Sequence, residues 1–508
     1  MKLGINLGGV ADYATDNPYI DRLRMAQAPA PIAKGVPMPP FDPVTGFPLA
    51  AGQLNRQIGL DPASVDNPRT YVLLCDENVS SVQTVWGKMI PKDGRATIKV
   101  TSSAGGVGLG ITATGPVKRL AFLRVEHEEA YQAGEIFNPE YLARIAPFPL
   151  LRTLDYNATN YEPAAGITSF PPRRPLPTDG FFSVDRGGLP AEHIAMLAKK
   201  TGADVWYPLH HLMPDNDIAE RIKVFVAAGV PLRLEDSNEF GWTYHRAWAL
   251  AQAAAHSATS KPSYADVLRF YGWRSAQIGK LAAAISPDVK INLASQASDG
   301  VSNLPAILKG WDETGAPRSL ITGYANASYL NLNGIIPALL AAMAKDDKEA
   351  FYTAVEGLMP ALQARHVKAG AACKAAGVDY KIYEGGLSLY TNRPAMTDDV
   401  ARKALLDWAL PLLHSDRAAD IEMRMIQGAF DAGATEFCHF QLSGPGSQYG
   451  IWGTMPHITQ APYPIYDMLV KANAATKADP YTVLAARVAD MQKQLAELAG
   501  DIASLAVG

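Results

Sequence analysis

The feature that most constrains this chain is a rhythm starting near residue 148, where short apolar runs alternate with longer helical patterns. The runs are LLRTLDY (150–156), DVWYPLH (204–210), PLRLED (231–236), VKINLAS (289–295), SLITGY (319–324), YKIYEG (380–385) and TEFCHFQL (435–442). Parallel strands need a long crossover, which a helix supplies, so this alternation argues for βα units and a parallel sheet. Helical patterns fill the gaps: PAEHIAMLAKKTG has Pro190 near its start and Gly202 after its end, and DIAERIKVFVAAG ends at Gly229. Asp217 is expected to serve as N-cap of the latter. With LGINLG (3–8) the strands number eight, which fits a (β/α)8 barrel. An open doubly wound sheet is the alternative, but it should carry a Gly-rich phosphate loop after an early strand, and none is present. The expected fold class is therefore α/β: a TIM barrel with an inserted small antiparallel β domain and a C-terminal helix.

The expected organisation has four parts. Residues 1–30 hold the first barrel strand and its loop. Residues 31–139 are an insertion, opening with PMPPFDPVTGFPL, whose prolines exclude a helix. Within it, 70–129 reads as strands: YVLLCDE, ATIKVTSS, VGLGITATG and RLAFLRVE. The glycines of SSAGGVGLG read as turn or bulge residues and not as a cofactor loop. Residues 140–475 complete the barrel, and 476–508 form an amphipathic helix. There Leu484, Val488, Met491, Leu495, Leu498, Ile502 and Leu505 recur at spacings of four and three. That stripe either docks on its own chain or joins a partner helix in a homo-oligomer.

Charge and composition remove several classes. The net charge of −4, with no long Lys/Arg run, gives no nucleic-acid footprint. No apolar stretch reaches the roughly 20 residues that span a bilayer. Cys75, Cys373 and Cys438 form neither a disulfide framework nor a zinc motif. The start, MKLGINLGG, lacks signal-peptide features. Localisation is thus cytoplasmic, or secreted or periplasmic if an export signal has been removed.

Chemistry in such a barrel sits at the C-terminal ends of the strands. Polar residues gather there: Asn6 on strand one; Arg152 and Asp155 at strand two; His210 and His211 after strand three; Glu235, Asp236, Asn238 and Glu239 after strand four; Gln296, Tyr324, Glu384 and Trp452 with strands five to eight. Glu239 and Glu384 stand out, since both follow strongly apolar strands. Strands four and seven lie across the barrel, so the two carboxyls can converge. Two carboxylates flanking a glycosidic bond provide a proton donor and a nucleophile. The other readings are salt bridges to Arg152 or Arg233, or metal binding. HHLMPDND (His210, His211, Asp215, Asp217) has no established metal-ligand spacing, and sugar binding or structural support is the preferred role.

LEDSNEFGW (234–242) resembles the strand-four Asn-Glu signature of the large retaining glycoside-hydrolase clan of (β/α)8 barrels, and YEGG (383–386) resembles its strand-seven nucleophile segment. LRTLDYNATN, ADVWYPLHHLMPDND and LEDSNEFGW together resemble consecutive segments of a mostly uncharacterised bacterial family of barrel glycosidases. The resemblance covers about 1–25 and 140–470. It implies Glu239 as acid/base, Glu384 as nucleophile, and Asn238 as a hydrogen-bond partner of the sugar 2-hydroxyl. It further implies Tyr324 as a phenol orienting the nucleophile, Arg152 as the group holding Glu384 ionised, and Trp452 as a stacking floor. Phe240-Gly241-Trp242 departs from the clan, whose members often have an aliphatic residue and then Trp-Asn.

The expectation is a retaining glycoside hydrolase acting on an oligo- or polysaccharide, with no cofactor and no metal. Its expected substrate-binding residues are Asn6, Arg152, Asp155, His210, His211, Asn238, Gln296, Tyr324 and Trp452. The alternatives are a metal-dependent barrel hydrolase or isomerase and a non-catalytic carbohydrate-binding barrel.

Overall fold

The structure, a computed structural model, describes residues 1–102, 106–164, 166–240, 246–296, 300–389, 398–447, 450–461 and 463–477. Eight parallel strands close into a barrel: β1 (Leu3–Asn6), β2 (Leu150–Arg152), β3 (Asp204–Leu209), β4 (Leu232–Asp236), β5 (Lys290–Ala294), β6 (Ile321–Asn331), β7 (Tyr380–Ser388) and β8 (Ala434–His439). Each pairs with its sequence neighbours, and β1 closes the ring by lying between β2 and β8, with Ile5 opposite Leu151 and Leu3 opposite Phe437. The fold is thus a (β/α)8 barrel with added antiparallel sheets.

Three boundaries differ from the sequence reading. β2 stops at Arg152, and Asp155 lies on a 3-10 turn, Asp155–Asn157. β6 runs seven residues past Tyr324 to Asn331 and pairs with β7, which runs three residues past Gly385 to Ser388. Asp217 does not cap its helix, which spans Asp215–Ala228 with Pro214 at the N-cap; Asp217 sits in the first turn and binds Arg221 at 3.2 Å.

The helices cover the barrel through apolar stripes. In Tyr264–Ile285, begun by a Ser263–Asp266 capping box, Val267, Tyr271, Ile278 and Ala282 are buried at helical spacing. Its neighbour, Gly300–Asp312, approaches so closely that glycine is required on both sides. A Cβ on Gly272 would lie 1.9 Å from the Ile307 carbonyl oxygen, and one on Gly310 would lie 1.8 Å from that of Arg269. The helix Pro464–Lys477 pins the first strand through Asn473, whose amide accepts from Leu3 N at 3.1 Å and donates to Leu3 O at 2.9 Å.

The segment before β2 forms two antiparallel sheets. One orders Gly52–Gly59, Gly106–Ala113, Val79–Thr84 and Gly87–Met89; the other orders Arg95–Val100, Arg69–Cys75 and Leu120–Arg124. They share a core that includes Leu54, Ile58, Leu73, Val82, Ile111 and Phe122. Gly52–Gly59 lies before the stretch 70–129 that reads as strands. A buried ionic knot ties this unit to the barrel: Asp61 binds Arg22 at 2.7 Å and Arg124 at 3.4 Å, and accepts from Asn17 at 3.0 Å. Burial alone would raise the Asp61 carboxyl, but Arg22 and the other cations hold it below its ordinary range. The amphipathic stripe from Leu484 to Leu505 lies outside the described residues, as do Gly241 and Trp242.

Candidate active site

A layer of side chains inside the barrel supports the site. Arg152, at the end of β2, is fully enclosed, with its guanidinium 4.9 Å from the ring centre of Tyr383 and 5.7 Å from that of Trp206. Its planar fork meets Glu235 of β4 through Nε (3.1 Å) and Nη2 (3.0 Å), and Trp206 Nε1 donates to the same carboxylate at 2.7 Å. Nη2 also donates to Asn238 Oδ1 at 2.9 Å. Nη1 donates to Asn6 Oδ1 at 3.0 Å and lies 3.5 Å from Glu384 Oε2. Burial works against the charge on Arg152, but Glu235 and Glu384 outweigh it and raise the guanidinium above its ordinary basicity. Asn6 is oriented by its own donations to Tyr383 O (3.0 Å) and His439 O (3.2 Å). Asn6 and Arg152, expected to meet substrate, are fully enclosed beneath the mouth and hold other side chains in place.

The β4 strand ends in a tight turn in which Ser237 and Glu239 both take left-handed backbone, φ 66° and 44°. Non-glycine residues rarely adopt this conformation, and it marks a turn fixed by its surroundings. The turn presents Glu239, half-buried, with both carboxylate oxygens engaged: Oε1 accepts from Tyr383 Oη at 3.1 Å and Oε2 from Gln296 Nε2 at 3.2 Å. Asn238 bridges the guanidinium and Asn160, donating to Asn160 Oδ1 at 3.3 Å.

Glu384, on β7, is 6% exposed. Burial pushes its carboxyl well above the ordinary range; Arg152 opposes this, while Glu239 and Glu235 add to it. Glu384 and Glu239 therefore share one electrostatic site, with Arg152 as counter-ion on the Glu384 side. Tyr329, near the end of β6, stands in the same field: burial and then Glu384 and Glu239 raise its phenol. Asp155 is pushed up to about 6 by burial, against the pull of Arg152.

The other expected residues lie apart from this network or serve the scaffold. Tyr324 is buried lower on β6, its hydroxyl hydrogen-bonded to Ser295 Oγ; the phenol in the field of Glu384 is Tyr329, five residues on. His210 accepts from Leu212 N at Nδ1 (3.1 Å), so its proton is on Nε2, which donates to Tyr161 O at 2.8 Å. Burial lowers it to about 4, leaving a neutral ring that holds a loop. His211 stacks on His210 at 4.4 Å and meets Trp248 edge-on at 4.9 Å. Trp452 donates to Ser388 Oγ at 2.9 Å, with its ring 5.9 Å from Phe440. Arg233, the other candidate partner for the carboxylates, binds Glu436 and Asp204. Among the described residues, no three His, Cys, Asp or Glu side chains are grouped to hold a metal ion.

Tyr383, Tyr329 and Trp206 were not singled out from sequence, and Glu235 appeared there only as a strand-end residue. Tyr383 adjoins Glu384, and Glu235 lies four residues before Glu239, so proximity to the two carboxylates was the available signal. No family model matches the chain, and no curated protein matches it. It is similar in structure to a family 51 α-L-arabinofuranosidase from Bifidobacterium longum (12% identity, 66% of this chain and 67% of that one, TM-score 0.39). It is also similar to a 4-O-α-L-rhamnosyl-β-D-glucuronidase from Fusarium oxysporum (12%, 68% and 66%, TM-score 0.39) and a xylanase from Cellvibrio japonicus (11%, 90% and 98%, TM-score 0.36).

Proposed function

We propose that this protein is a retaining glycoside hydrolase, with Glu384 as nucleophile and Glu239 as acid/base. The observation that carries the reading is the asymmetric setting of two coupled carboxyls. Glu384 is buried and faces Arg152, whereas Glu239 is half-buried and held at both oxygens by Tyr383 and Gln296. Two neighbouring carboxyls do not readily ionise together, and a shared proton favours the one farther from the cation. The retaining mechanism takes Glu384 as the carboxylate, which Arg152 favours against its burial, and Glu239 as the proton donor.

In the first step Glu384 attacks the anomeric carbon while Glu239 gives its proton to the leaving oxygen, forming a glycosyl ester. The ester removes the negative charge of Glu384 and leaves Glu239 as the base. Glu239 then takes a proton from water, which attacks the same carbon and releases the sugar with its original configuration. Arg152 is a positioning residue here, and Asn238 is set to meet the sugar hydroxyl beside Glu384. The substrate class is an oligo- or polysaccharide.

The test is turnover of a panel of aryl glycosides and glycans by wild type, Glu384→Gln and Glu239→Ala, with the first-formed anomer read by NMR. Retention, with loss of turnover in Glu384→Gln and azide rescue of Glu239→Ala on an activated aryl glycoside, is expected. An inverted product, or equal turnover by wild type and Glu384→Gln, overturns the assignment.

A further inference from the structure

Two clefts of mixed lining lie end to end on one side of the site. The inner, about 460 Å³, is lined by Asp155, Gln441, Val10, Ser183 and Asp185. Val10, Asp155 and Gln441 follow β1, β2 and β8, so this cleft lies at the rim of the same barrel mouth as Glu384 and Glu239. The outer, about 520 Å³, lies where the loops after β1 and β8 meet the antiparallel unit; Arg69, Asn67, Thr459 and Gln460 are in its wall. Asp12 and Tyr13 line both, forming the ridge between them. Each volume falls within the roughly 300–1,000 Å³ of small-molecule sites.

Two features of this trough offer contacts to a ligand. Tyr13 is 73% exposed, the most exposed aromatic ring among the described residues. Leaving so much apolar ring in water is unfavourable unless something covers it. Arg69 is half-buried at the outer wall, yet among the described residues its guanidinium has no ion pair or hydrogen bond; its Nε is buried without a partner. A buried donor without an acceptor is unfavourable, and a ligand oxygen would satisfy it. An exposed ring beside a guanidinium, amides and hydroxyls matches a sugar ring, which offers a C–H face and a rim of oxygens.

We propose that this trough is a distal glycan-binding site, in which a saccharide chain held at Glu239 and Glu384 runs past Tyr13 and places a further sugar unit against Arg69. The antiparallel unit thereby contributes directly to substrate binding, and the preferred substrate is a polymer or long oligosaccharide. The inference rests on the hydrolase reading above.

The test compares kcat/KM for a 4-nitrophenyl glycoside with that for oligosaccharides of two to six units of the same sugar. It uses wild type, Tyr13→Ala, Tyr13→Trp and Arg69→Ala. Wild type is expected to improve with chain length. Tyr13→Ala and Arg69→Ala should each lower kcat/KM on the longest substrate by about tenfold, the size of one stacking or hydrogen-bond contact. Both should leave the aryl glycoside unchanged, and Tyr13→Trp should keep the length preference. Kinetics independent of length in wild type, or an equal loss on short and long substrates, overturns the distal site while leaving the hydrolase reading intact. A wild type that turns over none of these glycosides sinks the hydrolase reading and the distal site with it.

Discussion

Replacing Arg152 by Met tests the support beneath the site in two independent ways. The substitution keeps an unbranched stem and removes a cation bonded to Glu235, Asn238 and Asn6 and 3.5 Å from Glu384. Glu235, fully buried, is then left with the Trp206 N–H. Removing one partner of a buried ion pair costs about 3–5 kcal/mol. At roughly 2.1 cal/mol/K per residue, a chain of 508 residues unfolds with about 1.1 kcal/mol/K, so the melting midpoint should fall by about 3–5 °C. The second effect is on chemistry. At an effective dielectric of about 20, opposite charges about 4 Å apart attract by about 4 kcal/mol. That is roughly a thousandfold in the ionised fraction of the proposed nucleophile, Glu384, on the acid side. The assay is kcat/KM against pH on an aryl glycoside, with calorimetry at a fixed scan rate. Arg152 lowers the Glu384 pKa, so its removal should move the acid limb to higher pH, with activity regained about tenfold per pH unit. A lowered melting point with the acid limb unmoved would refute the claim that Arg152 acts on the nucleophile.

Three further outcomes are expected. Burial pushes the Asp16 carboxyl up to about 7, from an ordinary 3.8; it accepts from Gly8 N at 3.1 Å. A raised carboxyl stabilises the fold below its unfolded pKa, and that contribution is lost as pH rises through the folded value. Asp16→Asn should therefore gain stability relative to wild type between about pH 4 and pH 7, approaching about 4 kcal/mol in denaturant melts at each pH. Tyr383→Phe deletes the donor to Glu239 and should lower kcat about tenfold with little change in KM, read in steady-state kinetics. Gly310→Ala forces a methyl against the Arg269 carbonyl and should cost at least about 1–3 kcal/mol in a melt while leaving the active-site pH profile unchanged.

The barrel was legible because each strand is a compact apolar run set between helix-period segments. Where that contrast fades, the reading stopped early. ANASYLN continues β6 with small and polar residues whose strand character comes from pairing with β7. Gly52–Gly59 was hidden by the prolines and glycines around it, although it pairs along its length with Gly106–Ala113. At the site, the rule that strand ends carry the chemistry pointed to Arg152, Glu235, Glu239 and Glu384 but not to their partnerships. Arg152 and Glu235 lie on separate strands, and their pairing depends on barrel closure. Tyr324 and Tyr329 are both phenols on β6; which one stands in the field of Glu384 depends on how far the strand extends above the rim. The two histidines looked like a site in one dimension, yet His210 spends both ring nitrogens on backbone groups.

The position of β1 has a consequence for how the molecule is made. This strand holds Leu3, and one of its two neighbours in the ring holds Phe437. At about 5–20 residues per second, a ribosome needs roughly 20 to 90 s to deliver the second after the first. For all that time the opening segment of the nascent chain lacks half its lattice of hydrogen bonds, and a chaperone has reason to hold it. The antiparallel unit, whose strand partners all lie between Gly52 and Arg124, can assemble in the interval. The helix Pro464–Lys477 then fastens the first strand through Asn473, so the ring is locked only after β8 has been made. A chain released before that point would expose the edges of an open parallel sheet, the form most prone to join its own copies.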